Sequence, residues 1–329
     1  MKIENVSILG PGSFGTAIAQ LISQNVNEVS LYGRNPRIID SINRNNVNNI
    51  YHPLIKLNDN VNAHLIKDKR FINDSDVVIF CVPSGSTRIV AKNLRDNLNE
   101  KIIISTAKGI EYPSLNYMSE IIKDETDNDT IISISGPTFA DELIRNVLSA
   151  MTIGFRMSSY ENKIMRLFES PNILLDISGD VEGVELCSIL KNIYATAMGI
   201  FDTYFQGHNE HNALLNLCFK EMGYILNYSG HSNLLTNFCA FGDLNLTANS
   251  DKSRNRTIGL MLGKNIKLDP KSTVTVESIK SVKSIKSISE NLNLKTPIVN
   301  FVDVAFDENN DIRSSVNKLI PEINNSSYI

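Results

Sequence analysis

The sequence contains few cysteines and little net charge, and both shortages bear on the class of protein. Four cysteines, Cys81, Cys187, Cys218 and Cys239, are scattered over 329 residues and form no C-x-x-C pair. In a chain of this length that spacing predicts reduced, small core residues. The formal net charge of −4 offers no electrostatic case for nucleic acid as a partner.

Long apolar runs and an N-terminal targeting segment are also missing. No run of about 18 apolar residues is present, so the sequence predicts no membrane span. A strand pattern begins at residue 6, which leaves no room for a signal peptide. Lys280, Lys283 and Lys286 recur within residues 278–289, which is typical of a partly buried surface helix rather than of a membrane-binding stripe. We therefore expect a cytoplasmic protein without stable membrane insertion.

The first part of the chain alternates short β-rich runs with helical stretches. Several of the runs are continuous in valine and isoleucine, which is typical of strands buried on both faces of a parallel sheet. The predicted strands are residues 6–9, 29–32, 77–82, 102–105, 131–135, 151–153 and 173–175. This alternation predicts an α/β fold, a doubly wound, mostly parallel sheet of the Rossmann type.

The pattern changes near residues 177–181. Beyond this point the chain reads as long helices, such as 182–202 and 213–226, with no convincing strand. A length of 329 residues suggests roughly two domains of about 150 residues each. We expect a dinucleotide-binding domain over residues 1–177 and an all-helical substrate domain over residues 178–329.

A glycine-rich turn follows the first predicted strand directly. In Gly10-Pro11-Gly12-Ser13-Phe14-Gly15, Gly10 permits the tight turn, Gly12 lets the backbone approach a pyrophosphate, and Gly15 lets helix and strand pack closely. The free N–H groups and the positive end of the following helix favour an anion. Between a strand and a helix, the motif predicts a dinucleotide site.

The second predicted strand ends without the carboxylate that usually binds the adenosine ribose of NAD. It is followed instead by Arg34. An arginine here suits a 2′-phosphate, although a solvated turn cation would look the same in sequence. NADPH is therefore at least as plausible a cofactor as NADH.

Two further turns follow predicted strands, where ligands of such sheets bind. Lys108 lies in Ser105-Thr106-Ala107-Lys108-Gly109 and suits an anionic or polarised group. Gly136 and Thr138 lie in Ser135-Gly136-Pro137-Thr138-Phe139-Ala140. A structural turn alone would also explain this Gly-Pro pair.

Lys191 lies in a predicted helix with an apolar face. At helical spacing its neighbours are Val184, Cys187, Ala195 and Met198. A lysine centred on that face loses solvation, which is expected to lower its pKa toward neutrality and suits a proton donor or acceptor. The alternative is a lysine whose ammonium reaches solvent past the apolar residues.

Hydroxyl, guanidinium and amide donors follow one another at Ser253, Arg254 and Asn255, shortly after Gly242-Asp243-Leu244-Asn245-Leu246-Thr247. Together these three donor types suit one phosphate group. A surface helix that begins with basic residues is the alternative.

Read in order, these motifs closely resemble bacterial NAD(P)-dependent glycerol-3-phosphate dehydrogenases. The ordered set comprises the GPGSFGTA, TAKG and ISGPTFADE turns, the LKN helix, and the FGDLNLT and SRNR segments. The resemblance implies a Rossmann domain followed by a helical domain. It also implies reduction of dihydroxyacetone phosphate to sn-glycerol 3-phosphate with NADH or NADPH, which supplies the backbone for phospholipid synthesis. We further expect a homodimer.

The resemblance also implies roles for single residues. Lys191 corresponds to the general acid/base that protonates the substrate carbonyl. The residues expected to contact the substrate are Lys108, Gly136, Thr138, Lys191, Asn192, Asp243, Thr247, Ser253, Arg254 and Asn255. Those expected to contact the cofactor are Gly10, Gly12, Ser13, Phe14, Gly15, Arg34, Lys108, Ala140, Arg254 and Glu277.

Three positions depart from the family pattern. His211 stands where arginine or lysine is usual, Ala248 replaces a usual cysteine, and Thr275 begins a segment that is usually Val-Val-Glu-Gly. His208 and His211 have no third placed ligand, so we expect no metal site.

Two other functions share parts of this pattern. Ketoacid reductases and β-hydroxyacid dehydrogenases have the same two-domain plan, but a carboxylate substrate would not require the SRNR segment. A non-catalytic nucleotide sensor would not require a desolvated Lys191.

Overall fold

The chain forms two compact units. A computed structural model of the protein describes residues 2–156, 158–307 and 310–326. The first unit comprises Met1–Lys108 and Met118–Glu182, and the second comprises Gly109–Tyr117 and Gly183–Ile329.

The first unit is built on one eight-stranded sheet. Its strands are β1 (Asn5–Leu9), β2 (Glu28–Gly33), β3 (Val61–Leu65), β4 (Val77–Phe80), β5 (Ile102–Ser105), β6 (Ile131–Ser135), β7 (Ser149–Gly154) and β8 (Ile173–Ser178). Their order across the sheet is β3-β2-β1-β4-β5-β6-β7-β8. All neighbouring pairs are parallel except β6 and β7, which are antiparallel. The predicted doubly wound, mostly parallel sheet is confirmed.

Both faces of this sheet are buried. On β4, Val77 and Ile79 join the apolar cluster on one face, and Val78 and Phe80 join the cluster on the other. This explains the continuous valine and isoleucine runs, because every side chain of such a strand faces a core. The helices of the unit are α1 (Ser13–Ile22), α2 (Pro36–Asn45), α3 (Arg70–Asn73), α4 (Thr87–Asn93), α5 (Met118–Thr126), α6 (Ala140–Leu143) and α7 (Glu161–Leu167).

The second unit is built mainly of helices. Its helices are α8 (Val181–Tyr204), α9 (His208–Tyr228), α10 (Asp243–Asn249), α11 (Arg254–Gly263), α12 (Thr273–Asn291), α13 (Pro297–Ala305) and α14 (Ile312–Asn324). They share one apolar core, to which α8 contributes along its whole length. The predicted helical C-terminal region is confirmed.

By length and composition alone, helix α8 is apolar enough to cross a membrane. Charged residues such as Lys191 interrupt its sequence, so it contains no uninterrupted apolar run of about 18 residues. The absence of a membrane span stays a prediction for this helix. Its most apolar 18-residue stretch is 94% buried inside the protein, as expected of a core helix.

Two segments depart from the sequence interpretation. Strand β3 was not predicted, because Val61-Asn62-Ala63-His64-Leu65 alternates apolar and polar residues, as an edge strand does. Residues 109–117 belong to the second unit although they lie within the expected first domain. Ile110 is buried in the core of the helical unit, and Leu115 and Tyr117 pack against that core. The four cysteines are thiols that form no disulfide with one another.

Candidate functional site

The parallel strands of the first unit bring several predicted residues to one edge of the sheet. Strands β2, β1, β4, β5 and β6 are successive parallel neighbours, so their carboxyl ends lie along the same edge. Arg34 follows β2, the glycine turn follows β1, Lys108 follows β5, and Gly136 follows β6. This edge is where ligands of doubly wound sheets bind.

Residues 10–15, here called the cofactor turn, contain two glycines that the packing of the protein itself requires. Gly10 has a φ of +112°, and a Cβ built on it would lie 2.5 Å from the carbonyl oxygen of Cys81. A Cβ on Gly15 would lie 2.1 Å from the carbonyl oxygen of Gly10. Neither position tolerates a side chain, which agrees with the roles predicted for a tight turn and for close packing of helix and strand.

Gly12 is different, because a Cβ built on it meets nothing within 4 Å. Its missing side chain therefore opens space rather than relieving an internal clash. Gly12 is also the N-cap of α1 and has no side chain to accept from the first turn of the helix. The N–H groups of that turn have no acceptor within the helix, and they lie at its positive end. The residues present thus fit a pyrophosphate group.

The surroundings of the cofactor turn are uncharged on one side and basic on another. Burial raises the pKa of the Cys81 thiol to about 12, so this side chain remains neutral at physiological pH. The ammonium of Lys108 lies 5.9 Å from the ring centre of Phe14. At this distance the two groups form a cation–π contact, so Phe14 and Lys108, both predicted cofactor contacts, lie next to each other.

Arg34 is exposed directly after β2. It has no carboxylate partner among the residues that the structure describes. The neighbouring Asn35 caps α2 and accepts a hydrogen bond from the Arg37 amide at 3.0 Å. Capping of this helix is therefore done by Asn35 rather than by Arg34.

Gly136, Thr138 and Ala140 form a local turn after β6. A Cβ on Gly136 would lie 2.3 Å from the carbonyl oxygen of Ala150 on β7, so close packing alone requires this glycine. The buried Thr138 hydroxyl donates to the Gly136 carbonyl at 3.1 Å. Ala140 begins α6. The structural alternative weighed for this turn thus has direct support at Gly136.

In the second unit, Lys191, Asp243 and Thr247 form a buried group, here called the lysine cluster. Lys191 is 4% exposed and Asp243 is 1% exposed. The Lys191 ammonium donates to Asp243 Oδ1 at 2.5 Å and to Thr247 Oγ1 at 3.2 Å. Thr247 in turn donates to the Asp243 carbonyl oxygen at 2.6 Å.

Two elements position this cluster. Lys191 lies near the middle of α8, where Val184, Cys187, Ala195 and Met198 are fully buried as their spacing predicted. Asp243 begins α10 directly after a single π-helical turn, Phe238–Gly242. Burial disfavours the ammonium, whereas the carboxylate at 2.5 Å favours it, so the two effects oppose each other. Helical spacing predicts the burial of Lys191 but not the carboxylate that faces it from α10.

The start of α11 carries the predicted phosphate-binding residues. Ser253 is the N-cap of this helix, and its hydroxyl accepts from the Arg256 amide at 3.2 Å. Arg254 is exposed and has no ion-pair partner among the described residues. Asn255 accepts a hydrogen bond from Ser278 at 2.9 Å, which ties α11 to α12 beside Glu277.

Two glycines place α11 directly against α8. A Cβ on Gly199 would lie 2.2 Å from the Arg256 carbonyl oxygen, and one on Gly259 would lie 2.0 Å from the Thr196 carbonyl oxygen. The two backbones therefore touch, and the donors at the start of α11 are held against the helix that carries Lys191. Asn192, next to Lys191, is half-buried.

The structure shows what surrounds the unusual His211. Its Nδ1 lies 2.8 Å from Asp202 Oδ1, and its Nε2 lies 2.6 Å from Asn249 Oδ1. Arg256 binds the other oxygen of Asp202 at 2.8 Å and also pairs with Asp251. His211 thus joins a polar network that links α8, α9, α10 and α11, which no local motif indicated.

Sequence reasoning also missed two residues behind the cofactor turn. The buried Asn48 donates to the Pro11 carbonyl at 3.0 Å and to Thr16 Oγ1 at 2.8 Å. The buried His52 contacts Ser13. Both lie 32 to 39 residues from their partners, so no spacing rule could have found them.

Comparisons with known proteins agree with this arrangement. The family model "NAD-dependent glycerol-3-phosphate dehydrogenase N-terminus" matches residues 5–161, and the corresponding C-terminus model matches residues 180–317. A glycerol-3-phosphate dehydrogenase [NAD(P)+] from Methanothermobacter thermautotrophicus is 44% identical over 323 residues, covering 98% of this chain and 99% of that protein. One from Clostridium botulinum is 30% identical, covering 97% of each.

A solved structure is similar over the same length. Glycerol-3-phosphate dehydrogenase from Coxiella burnetii superposes with a TM-score of 0.86 at 26% identity, covering 97% of this chain and 99% of that one. Two family models that together match most of the chain, and relatives of nearly equal length, agree with the order of motifs in the sequence. The chain therefore belongs to the NAD-dependent glycerol-3-phosphate dehydrogenase family.

Proposed function

We propose that this chain catalyses the reversible reduction of dihydroxyacetone phosphate to sn-glycerol 3-phosphate. As a member of the family it is an oxidoreductase that uses NADH or NADPH. The observation that carries the finer proposal is the lysine cluster. A buried lysine held by a carboxylate and a hydroxyl suits proton transfer to a carbonyl oxygen.

The cofactor turn is the proposed site for the pyrophosphate of NADH or NADPH. When bound, the cofactor supplies the hydride that reduces the carbonyl carbon. Gly12 provides the open space, and the first turn of α1 provides N–H groups and the positive helix end. Ser13, Phe14, Lys108 and Ala140 are proposed as further cofactor contacts.

Lys191 is the proposed general acid. As the carbon is reduced, negative charge develops on the carbonyl oxygen, and a proton from the ammonium neutralises it. Asp243 holds the ammonium in place through their 2.5 Å contact. In the reverse direction the neutral amine would accept the alcohol proton. A positioned acid of this kind contributes about 10²- to 10⁴-fold to a rate.

The start of α11 is the proposed phosphate site. Arg254 is exposed and uncommitted to a carboxylate, so its guanidinium is available for a bidentate contact with a phosphate. Ser253 and Asn255 are proposed to add hydroxyl and amide contacts. The other proposed substrate contacts are Lys108, Gly136, Thr138, Asn192, Asp243 and Thr247. Glu277 and Arg254 are proposed as further cofactor contacts.

The cellular role follows from this reaction. Glycerol 3-phosphate supplies the backbone of phospholipids, so we propose that the chain feeds that synthesis. We also propose a cytoplasmic homodimer with no stable membrane insertion. The burial of α8 within the core supports the last point.

The test is NADH and NADPH oxidation by the purified protein with dihydroxyacetone phosphate, with ketopantoate as the control ketone. We expect rapid oxidation with dihydroxyacetone phosphate and little with ketopantoate, whose anionic group is a carboxylate. A higher kcat/KM for ketopantoate would assign the chain to the ketoacid reductases instead.

A further inference from the structure

Two side chains of the loop between α2 and β3 form hydrogen bonds with the backbone of the cofactor turn. His52 lies in this loop and is 6% exposed. Its Nε2 lies 2.9 Å from the Ser13 carbonyl oxygen and 3.2 Å from Ser13 Oγ. The fully buried Asn48 holds the turn at the neighbouring Pro11 carbonyl. Two side chains of one loop thus bind consecutive parts of the turn.

The contact with Ser13 determines which nitrogen of the imidazole carries a proton. A carbonyl oxygen can only accept a hydrogen bond, so Nε2 must donate. It does so in the neutral Nε2–H tautomer and in the imidazolium alike. His52 is therefore a hydrogen-bond donor to the backbone of the first residue of α1.

The Ser13 carbonyl belongs to the same peptide unit as the Phe14 N–H. That unit is planar, so the direction of the carbonyl fixes the direction of the N–H at its other side. In the first turn of a helix this N–H has no intrahelical acceptor and points out of the N-terminus. The helix already directs the Ser13 carbonyl, and His52, by donating to the same oxygen, helps to hold the direction of a donor that faces an anion at this end of α1.

The loop closes without the imidazole. The His52 amide donates to the Asn48 carbonyl at 2.8 Å, and the Ile55 amide donates to the His52 carbonyl at 3.2 Å. These backbone bonds shape the loop, whereas the imidazole forms the link across to Ser13.

We propose that His52 is a positioning residue for the cofactor, which acts by orienting the Ser13–Phe14 peptide of the cofactor turn. The inference rests on the proposed role of that turn. It predicts that loss of the Nε2 donor weakens NADH and NADPH binding and leaves the chemical step unchanged.

A matched set of three variants tests this. His52→Leu removes the donor. His52→Asn keeps an amide but is one methylene too short to reach Ser13, and His52→Gln places its amide nitrogen close to the position of Nε2. The loss of one hydrogen bond corresponds to about a three- to tenfold change in an equilibrium. We expect the dissociation constants for NADH and NADPH to rise about three- to tenfold in the leucine and asparagine variants. The glutamine variant should bind about as the native protein does.

The readouts are cofactor dissociation constants from fluorescence titration, kcat at saturating cofactor, and the melting temperature. Unchanged dissociation constants in folded His52→Leu or His52→Asn would overturn the proposal, and so would a fall in kcat that His52→Gln does not restore. If the native protein binds neither cofactor, the proposed function fails. If the native protein binds and all variants bind equally, only the role of His52 fails.

A measurement on the native protein covers the case in which the leucine and asparagine variants do not fold. The ¹⁵N-labelled imidazole signals can be assigned by their loss in His52→Gln. We expect a protected Nε2 proton on His52 whose resonance shifts when NADH is added. A rapidly exchanging Nε2 proton, or a resonance that NADH leaves unmoved, would contradict the proposal.

Discussion

The cofactor turn presents backbone groups, whereas the lysine cluster presents side-chain groups. The turn consists of six consecutive residues whose backbone N–H groups are proposed to bind the cofactor. At two of its glycines, Gly10 and Gly15, packing leaves no room for a Cβ. The lysine cluster consists of an ammonium, a carboxylate and a hydroxyl, and Asp243 and Thr247 lie 52 and 56 residues from Lys191 in the chain. The motif of the first site lies within one short stretch of sequence, whereas the second site forms only when α8 and α10 pack together.

This difference decides how each site should fail. A backbone site is damaged by adding atoms, because a new side chain occupies space that the turn or its ligand needs. A buried charged site is damaged by removing atoms, because the remaining partner keeps its desolvation cost without its compensation. The following substitutions test that contrast, beginning with the largest effect.

Lys191→Ala should have the largest effect on turnover. Loss of the proposed general acid is expected to lower kcat by about 10²-fold or more. The NADH dissociation constant should stay near the native value, because the cofactor turn is untouched. Steady-state kinetics and fluorescence titration check the two expectations, and near-native kcat would remove Lys191 from the mechanism.

The same substitution removes the ammonium that compensates the buried charge of Asp243. Breaking a buried ion pair on one side costs about 3–5 kcal/mol of unfolding free energy. The matched control is Lys191→Met with Asp243→Leu, which removes both charges and should recover much of that stability but none of the turnover. Recovery of turnover in this double variant would show that the cluster is only structural.

Two glycine substitutions separate ligand space from internal packing. Gly12→Ala should fold normally, since its Cβ meets nothing, yet should weaken NADH binding by at least about thirtyfold, about 2 kcal/mol. Gly10→Ala should instead lower the melting temperature, because of its positive φ and the contact with Cys81. Equal effects of both variants on stability would contradict the distinction.

Arg34→Asp should change the choice of cofactor. The attraction of one exposed arginine to a 2′-phosphate is worth about 1–2 kcal/mol, or about five- to thirtyfold in affinity. The NADPH/NADH ratio of kcat/KM should fall by about that factor in the variant. The native preference should shrink at high salt, because exposed charges are screened. An unchanged ratio would show that Arg34 is a solvated cation of the turn that does not bind the 2′-phosphate.

Arg254→Lys should give the smallest effect. Lysine keeps the charge but loses the two-pronged contact, which is worth about 1 kcal/mol, or about fivefold in KM for dihydroxyacetone phosphate. Arg256→Lys is the control, because Arg256 already pairs with Asp202 and Asp251 and should affect mainly the melting temperature. A larger rise in KM for Arg256→Lys than for Arg254→Lys would indicate that Arg256, and not Arg254, binds the phosphate.

The contrast between the two sites also explains what the sequence could predict. The cofactor turn was readable because its signal is six contiguous residues between a predicted strand and a predicted helix. The burial of Lys191 was readable from helical spacing. Its pairing with Asp243 was not, because periodicity describes one helix and says nothing about which residue faces it from another.

The remaining misses have the same cause. Strand β3 lies at the sheet edge and alternates, so it lacks the continuous apolar signal of the inner strands. His52 and the network around Asp202 depend on contacts between distant parts of the chain. Residues 109–117 follow a strand in sequence, yet the apolar side chain of Ile110 is buried in the other unit.

We propose that this chain reduces a phosphorylated three-carbon ketone. The most direct test compares kcat/KM for dihydroxyacetone phosphate and for dihydroxyacetone, with saturating NADPH and the same enzyme preparation. A phosphate site left without its ligand should lower kcat/KM for dihydroxyacetone by at least about 10²-fold. Comparable values for the two ketones would show that the chain has no phosphate site and would contradict the account.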